Sequence, residues 1–338
     1  MAIYIIRRFL WMVPVLLMVT VIVFGATKLV PGGPFSTEGR PMSPEIRANF
    51  EARYHLDEPT WKQYIRYMVG DIVDTGNIRD FGRNGLLGFD LGPSYKYRGR
   101  TINNVLFDGG VVKAAVSVSA QLGTLAVLIA VGIGIPLGII SALKQNTFID
   151  YVAMFFAMLG VSIPNFVVGL MFILAMLWLN QHDLPALPLA RWGTKNFGDW
   201  LSHMILPAIT LGTGGTALIA RLTRASMLEV IRQDYIRTAR AKGLRDRAVI
   251  VGHALKNSLI PVTTVLGPLM AAWLTGSFII ETIFSVPGIG RFFVSSISDR
   301  DYTLIMGTIL VYAVLLVFMN ILVDISYAFL DPRIRLED

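Results

Sequence analysis

The chain has 338 residues, 54% of them hydrophobic and 16% charged, with a mean hydropathy of +0.59; a soluble domain of this length rarely shows that balance, so the sequence reads as a protein that crosses a bilayer several times. It contains no cysteine, which excludes disulfides and thiolate metal sites. The formal charge of +7 raises nucleic acid as a partner, but much of the excess lies in residues 221–256 and beside apolar segments, as membrane topology signals do, and no aromatic-basic interleaving follows it.

Residues 9–30 form the first apolar run, long enough to cross a hydrocarbon core, and Arg7 and Arg8 precede it. The run is too long for the apolar core of a signal peptide, so an uncleaved span with a cytoplasmic N-terminus is expected. Pro14 sits in its first half, where neighbouring helices can satisfy the freed carbonyl. In residues 31–115 Gly, Pro, Arg, Asp and Tyr replace the apolar run and no segment is long enough to span, which predicts an external region. Within it, 44–53 and 59–73 carry helical periodicity, the second with Trp61, Tyr64, Ile65 and Met68 on one face, read as a packing stripe. Spans are predicted at 118–143, 151–179 and 204–220. Between the last two, Pro185, Pro188, Trp192 and Trp200 suit an external loop with aromatic anchors. The span at 204–220 is short, and its Gly212, Gly214 and Gly215 permit close helix approach. Spans at 259–283 and 302–330 complete six, and the short inner loops then carry far more Lys and Arg than the outer ones, as the positive-inside rule requires.

Residues 221–261 interrupt this pattern with a charged helical insert. Asp234 is placed to cap a short helix whose last turn carries Arg237, Arg240 and Lys242, and Gly243 stands where a left-handed residue would end it. Asp246 is placed to cap a second helix, in which Ala248, Val251, Leu255 and Leu259 form one apolar stripe. Pattern alone leaves two readings, an amphipathic hairpin lying on the membrane or a helix presented to a partner.

Candidate chemistry is sparse. No Gly-x4-Gly-Lys-Ser/Thr and no Gly-x-Gly-x-x-Gly after a strand is present, so no phosphate cradle is expected. His55, His182, His203 and His253 fall in separate segments without ligand spacing. Two intramembrane acids stand out, Glu281 near the external end of the fifth span and Asp324 near the inner end of the sixth; snorkelling or a helix-end hydrogen bond accounts for either. Gln121, Thr210, Thr213, Thr275 and Asn320 are candidates for a polar route for a zwitterion, with interhelical packing as the competing role.

Arg237-Thr238-Ala239-Arg240-Ala241-Lys242-Gly243 resembles the cytoplasmic loop of importer permeases powered by ATP-binding cassettes, in which two small residues precede a glycine at a fixed interval. Pro31-Gly32-Gly33-Pro34, Tyr54-His55-Leu56-Asp57-Glu58-Pro59, Asp90-Leu91-Gly92-Pro93-Ser94, Ser162-Ile163-Pro164-Asn165-Phe166, the run from Glu281 through Phe284, Pro287 and Gly288 to Gly290, and Leu330-Asp331-Pro332-Arg333-Ile334-Arg335 look like landmarks of the B-type subunit of dipeptide and oligopeptide permeases. Arg237 in place of the general motif's leading acid, and His253-Ala254-Leu255-Lys256 in place of its later Ile-x-Leu-Pro, are similar to the peptide-permease branch.

The resemblance implies an all-α membrane protein of six transmembrane helices with the type I importer permease fold and an external region between helices 1 and 2. Its parts would be residues 1–30, the external 31–115, a transmembrane domain over 116–330 carrying the coupling insert 221–261, and a cytoplasmic tail 331–338. It implies half of a translocation pathway for peptides, coupled to ATPases through 235–258. Tyr235, Arg237, Ala239, Ala241, Lys242, Gly243 and Leu244 would form the coupling surface: Gly243 would set the angle of the docking helix, Ala239 and Ala241 would let it lie close, and Tyr235, Arg237 and Lys242 would orient it. The implied partners are a related C-type permease subunit, two cassette ATPases, an external substrate-binding protein and the lipid bilayer of the plasma (inner) membrane, with both termini cytoplasmic and no nucleic acid. No cofactor and no enzymatic activity are expected of this chain; ATP and Mg would belong to the ATPases. Relatives of the same class carry nickel chelates, glutathione or oligosaccharides. A gradient-driven secondary transporter is the rival class, and it calls for mid-membrane carboxylates or paired inverted repeats, neither of which is evident.

Overall fold

The computed structural model describes residues 2–29, 43–70, 85–97, 99–108, 114–188 and 196–330. The landmark at 31–34, Trp192 and the tail 331–338 lie outside them. Among the described residues the regular structure is helical, apart from one isolated antiparallel bridge between Pro93 and Thr101. In chain order the helices are α1 (Ala2–Leu29), α2 (Pro44–Arg53), α3 (Thr60–Val69), α4 (Ile102–Leu106), α5 (Ala115–Leu143), α6 (Phe148–Ser162), α7 (Asn165–Gln181), α8 (Phe197–Ile231), α9 (Asp234–Ala241), α10 (Asp246–Ala248), α11 (Leu255–Ser258), α12 (Ile260–Leu274), α13 (Phe278–Ile283), α14 (Ile289–Ser298) and α15 (Tyr302–Leu330), with a 3-10 turn at Leu86–Gly88 and a π-helical turn at Val249–Ala254.

Among the described residues five segments are long and apolar enough to cross a membrane, and the bent pair α6–α7, counted as one span, makes a sixth. This is the expected all-α arrangement, and the last span keeps the bounds predicted for it. Two expectations need correction. The stretch 151–179 is not one straight helix: α6 and α7 meet at 102°. Pro164 is the cause, because its ring biases Ile163 away from helical ψ, observed at φ −89° and ψ 123°, and it has no N–H to continue the ladder. The span predicted at 204–220 is the middle of a helix of 35 residues, about 52 Å long, so 221–231 prolongs it without a break. The span predicted at 259–283 is found at Ile260–Ile283, with a break in its helix at Thr275–Ser277, where Gly276 adopts φ 86°.

The chain forms two compact units, one of Met1–Phe9, Ser119–Val286 and Leu315–Asp338, the other of Leu10–Val118 and Pro287–Val314. In the second unit α4, capped by the Thr101 side chain accepting from Asn104 N–H, drives Ile102, Val105 and Leu106 into a core with Tyr67, Phe292 and Leu304; full burial of each such aliphatic side chain contributes about 1.5–3 kcal/mol. Asp301, also fully buried, accepts from Ser94 Oγ, from Thr303 Oγ at 3.0 Å and from Leu304 N–H at 3.2 Å, so its charge is met by donors. The predicted packing stripe of α3 is split: Met68 is buried and Tyr64 packs on the core, while Trp61 is 66% exposed and Ile65 50%. In the first unit α6 and α7 pack along α8. A Cβ on Gly215 of α8 would come within 2.2 Å of the Trp273 ring, so glycine there makes room for the indole of α12.

Candidate functional site

The site is built on the C-terminal end of α8. After Ile231 the chain turns and forms α9, which returns Ile236 and Ala239 to a small core with Ala142 of α5, Met227 of α8, and Val249 and Ala254 of the π-turn. Ile236 is wholly buried. That core holds α9 and leaves its other face open: Tyr235, Arg237, Ala241, Lys242 and Leu244 are exposed, while Ala239 turns inward. Tyr235 is anchored at its hydroxyl by Asn257 Nδ2 at 2.9 Å.

The stop is as expected. Gly243 has φ 77°, its N–H donates to Arg240 O at 2.9 Å and Leu244 N–H donates to Ala239 O at 3.4 Å, the paired bonds of a left-handed helix terminus. The caps differ from expectation. Gln233 and Arg245 occupy the cap positions, and Asp234 and Asp246 are first helical residues. There they sit at the positive ends of the helices and pair with Arg237 at 3.4 Å and Arg240 at 3.5 Å. The predicted stripe through Ala248 and Val251 is also displaced: Val251 is 56% exposed, whereas Val249, Ala254 and Ser258 are buried. The step of five from Val249 to Ala254 is the spacing of a π-turn, which shifts the phase of everything after it.

A buried ion pair fixes the base of this assembly. Asp150, in the first turn of α6, is 1% exposed and accepts from Arg224 Nε and Nη2 of α8, both at 2.7 Å, from Asn146 N–H at 3.0 Å, and from Ser141 Oγ of α5. The bidentate fork plus two further donors meets the carboxylate on every side, so α5, α6 and α8 are joined three residues before Met227 enters the α9 core. Farther along, the α6–α7 bend rests on α8: Asn165 Nδ2 donates to Leu211 O at 3.5 Å, and a Cβ on Gly160 would meet Ala217 Cβ at 3.2 Å.

Of the intramembrane acids, Glu281 is wholly buried and accepts from Ser119 Oγ of α5 at 2.6 Å, its Oε1 lying against Gly276. This corrects the snorkelling expectation, because α13 turns the side chain into the protein. Asp324 is ion-paired with Arg8 of α1, which also donates to Asn320 O at 3.3 Å.

The five pathway candidates fall apart in space and use. Gln121 accepts from Trp200 Nε1 at 2.9 Å. Thr210 is wholly buried and donates to Leu206 O at 2.8 Å, and Thr275 donates to Ala271 O at 2.9 Å. Asn320 is half-buried, with Oδ1 close to Gly267. Thr213 alone of the five lines a cavity of about 200 Å³ between α5, α6 and α8, whose other walls are mainly apolar. Among the described residues no cluster of His, Asp and Glu has metal-binding geometry. Sequence reading missed Asp150 and Arg224; the only signal was an acid in a first helical turn, and nothing named its partner.

Residues 134–336 match the family described as binding-protein-dependent transport system inner membrane component. The dipeptide transport system permease protein DppB of Bacillus subtilis strain 168 is 46% identical over 338 residues, covering 99% of each chain. The oligopeptide transport system permease proteins OppB of Salmonella typhimurium strain LT2 and Escherichia coli K12 are 42% and 40% identical, each over 98% of this chain and 99% of theirs. A crystal structure of an amino acid ABC transporter with histidines aligns with a TM-score of 0.45 at 18% identity, covering 63% of this chain and 90% of that one.

Proposed function

The chain belongs to the family of binding-protein-dependent transport system inner membrane components, and from that premise we propose that it is one permease subunit of an ATP-driven importer of dipeptides or oligopeptides. The chain is a multi-pass membrane protein. In this reading both termini and the 221–261 insert face the cytoplasm, 31–115 and 180–203 face outward, and the chain supplies half of the translocation pathway. ATP hydrolysis rests with two cassette subunits, and an external binding protein delivers the substrate.

The observation that carries the coupling role is the mounting of α9. Its inner face is locked to α5, α8 and the π-turn, and its outer face presents Tyr235, Arg237, Ala241, Lys242 and Leu244. A surface helix that is held rigidly from behind transmits a push, whereas a loosely attached amphipathic helix would absorb it. Closure of the ATPases around nucleotide would displace α9, and the continuous α8 would carry that displacement toward the bend at Pro164. The free energy would come from the differential affinity of nucleotide for the closed ATPase pair.

One docking insert per chain against two cassettes calls for a second permease chain, and the relatives' peptide-permease type favours a non-identical one. Affinity purification of the tagged chain in mild detergent, followed by mass spectrometry, should recover a second, different permease and cassette ATPases. A stable homodimer bearing ATPases, with no second permease, would refute the heteromeric arrangement.

A further inference from the structure

The second unit holds a cavity of about 30 Å³ walled by α1, α3 and α15 that the coupling role does not use. Lys28, His55 and Arg66 line it, and no Asp or Glu does among the described residues. The two fixed cations differ in how they are neutralised. Arg66 is bound in a fork by Glu58, with Nε to Oε2 at 2.7 Å and Nη2 to Oε1 at 2.8 Å, so its charge is met. Lys28 donates to the neutral Gln63 amide and lies 5.0 Å from the Phe24 ring centroid and 6.0 Å from that of Tyr302, with no described carboxylate in ion-pair range. An ammonium has three donors, and this one retains capacity.

A second wall group points the same way. Tyr67 is 6% exposed, borders the cavity, and its hydroxyl has no hydrogen-bond partner among the described residues. A buried hydroxyl left unpaired is costly and calls for an occupant. The space exceeds the roughly 10–15 Å³ that one water needs, yet it is too small for a substrate-sized molecule. Water would satisfy the hydroxyl but would leave the half-buried Lys28 ammonium without a counter-charge among the described residues.

We propose that this cavity binds a small free monovalent anion, of chloride or formate size, between the Lys28 ammonium and the Tyr67 hydroxyl. Bound there, the anion ties the end of α1 to α3 and α15 and completes the packing of the second unit.

The test is the thermal unfolding midpoint of the full-length chain in mild detergent, followed by tryptophan fluorescence, as sodium gluconate is replaced by sodium chloride or sodium formate at constant ionic strength. Gluconate is too large to enter. The midpoint should rise saturably with chloride or formate, and at ten times Kd the apparent unfolding constant should fall about elevenfold. Lys28→Met should abolish the rise. Tyr67→Phe should raise the midpoint in gluconate, because the orphan hydroxyl is gone, and should shrink the increment given by the small anions; this variant carries the test should Lys28→Met fail to fold. Equal midpoints in all three salts, the mark of a cavity that holds only water, or an increment unchanged in both variants would overturn the proposal.

Discussion

Separating Asp150 from Arg224 should weaken the protein and disconnect its two mechanical ends. The carboxylate is 1% exposed and accepts four hydrogen bonds, two from one guanidinium. Asp150→Ala removes those bonds and leaves Arg224, whose side chain is 25% exposed, without its counter-charge. Removing one member of a buried pair costs about 3–5 kcal/mol; partial exposure of Arg224 lets water recover some of that, which places the expected loss near the lower figure. A thermodynamic cycle of Asp150→Ala, Arg224→Ala and the double variant isolates the pairwise part. Unfolding of the purified chain should give a coupling energy of about 2–3 kcal/mol. In the assembled transporter, Asp150→Ala should lower the ratio of substrate transported to ATP hydrolysed, because α6 no longer moves with α8. Strict additivity of the single variants, with a coupling energy below about 0.5 kcal/mol, or an unaltered transport ratio in a variant that has lost stability, would refute the reasoning.

The remaining predictions concern other parts of the chain. Gly243→Val places a β-branched residue at φ 77°, where it is poorly tolerated, so substrate-stimulated ATP hydrolysis should fall while the amount of chain in the membrane is unchanged; full transport by this variant would reduce Gly243 to a packing residue. Gly215→Ala sets a methyl 2.2 Å from the Trp273 ring and should cost about 1–3 kcal/mol, with Trp273→Leu restoring part of it; an additive double variant would contradict the close approach. The Arg66 fork, with Lys62 adding to it, lowers the Glu58 carboxyl from 4.5 to about 2. A lowered pKa in the folded state gives stability that is complete above the unfolded value and is lost as pH falls from about 4.5 toward 2, so the unfolding midpoint should drop across that window and Glu58→Gln should flatten the drop. Single cysteines at the exposed Arg47 and Thr238 should react with an impermeant maleimide in intact cells at position 47 only; labelling at 238 would invert the topology.

Hydropathy made the spans legible because each must bury its own backbone polar groups in lipid, and α15 was bounded correctly from that requirement alone. The helix stop at Gly243 was equally local, since a residue with positive φ followed by paired carbonyl bonds is written in three or four neighbouring positions. What escaped was non-local or out of phase. Pro164 was visible, but whether a proline kinks a span mildly or turns it through 102° depends on what receives the bend, here Thr213, Gly214 and Ala217 of α8. The π-turn at Val249–Ala254 has no compositional marker, and a period of 3.6 carried through it places Val251 on the wrong face. Asp150 and Arg224 lie 74 positions apart, and nothing in either neighbourhood names the other. For Glu281, near a span end, the sequence leaves snorkelling or a helix-end hydrogen bond open; the break at Gly276 redirects α13 and buries the acid in a hydrogen bond from Ser119 of α5.

The central claim, that this chain is a peptide importer's permease driven by ATP through its docking insert, is tested most directly by uptake into proteoliposomes. The chain would be co-purified with its partners, reconstituted with the binding protein outside, and supplied with a labelled dipeptide and with internal ATP or its non-hydrolysable analogue. Uptake should require hydrolysable ATP, the binding protein and this chain together, and should be lost with Gly243→Val. Uptake driven by a proton or sodium gradient in the absence of ATP would contradict the account.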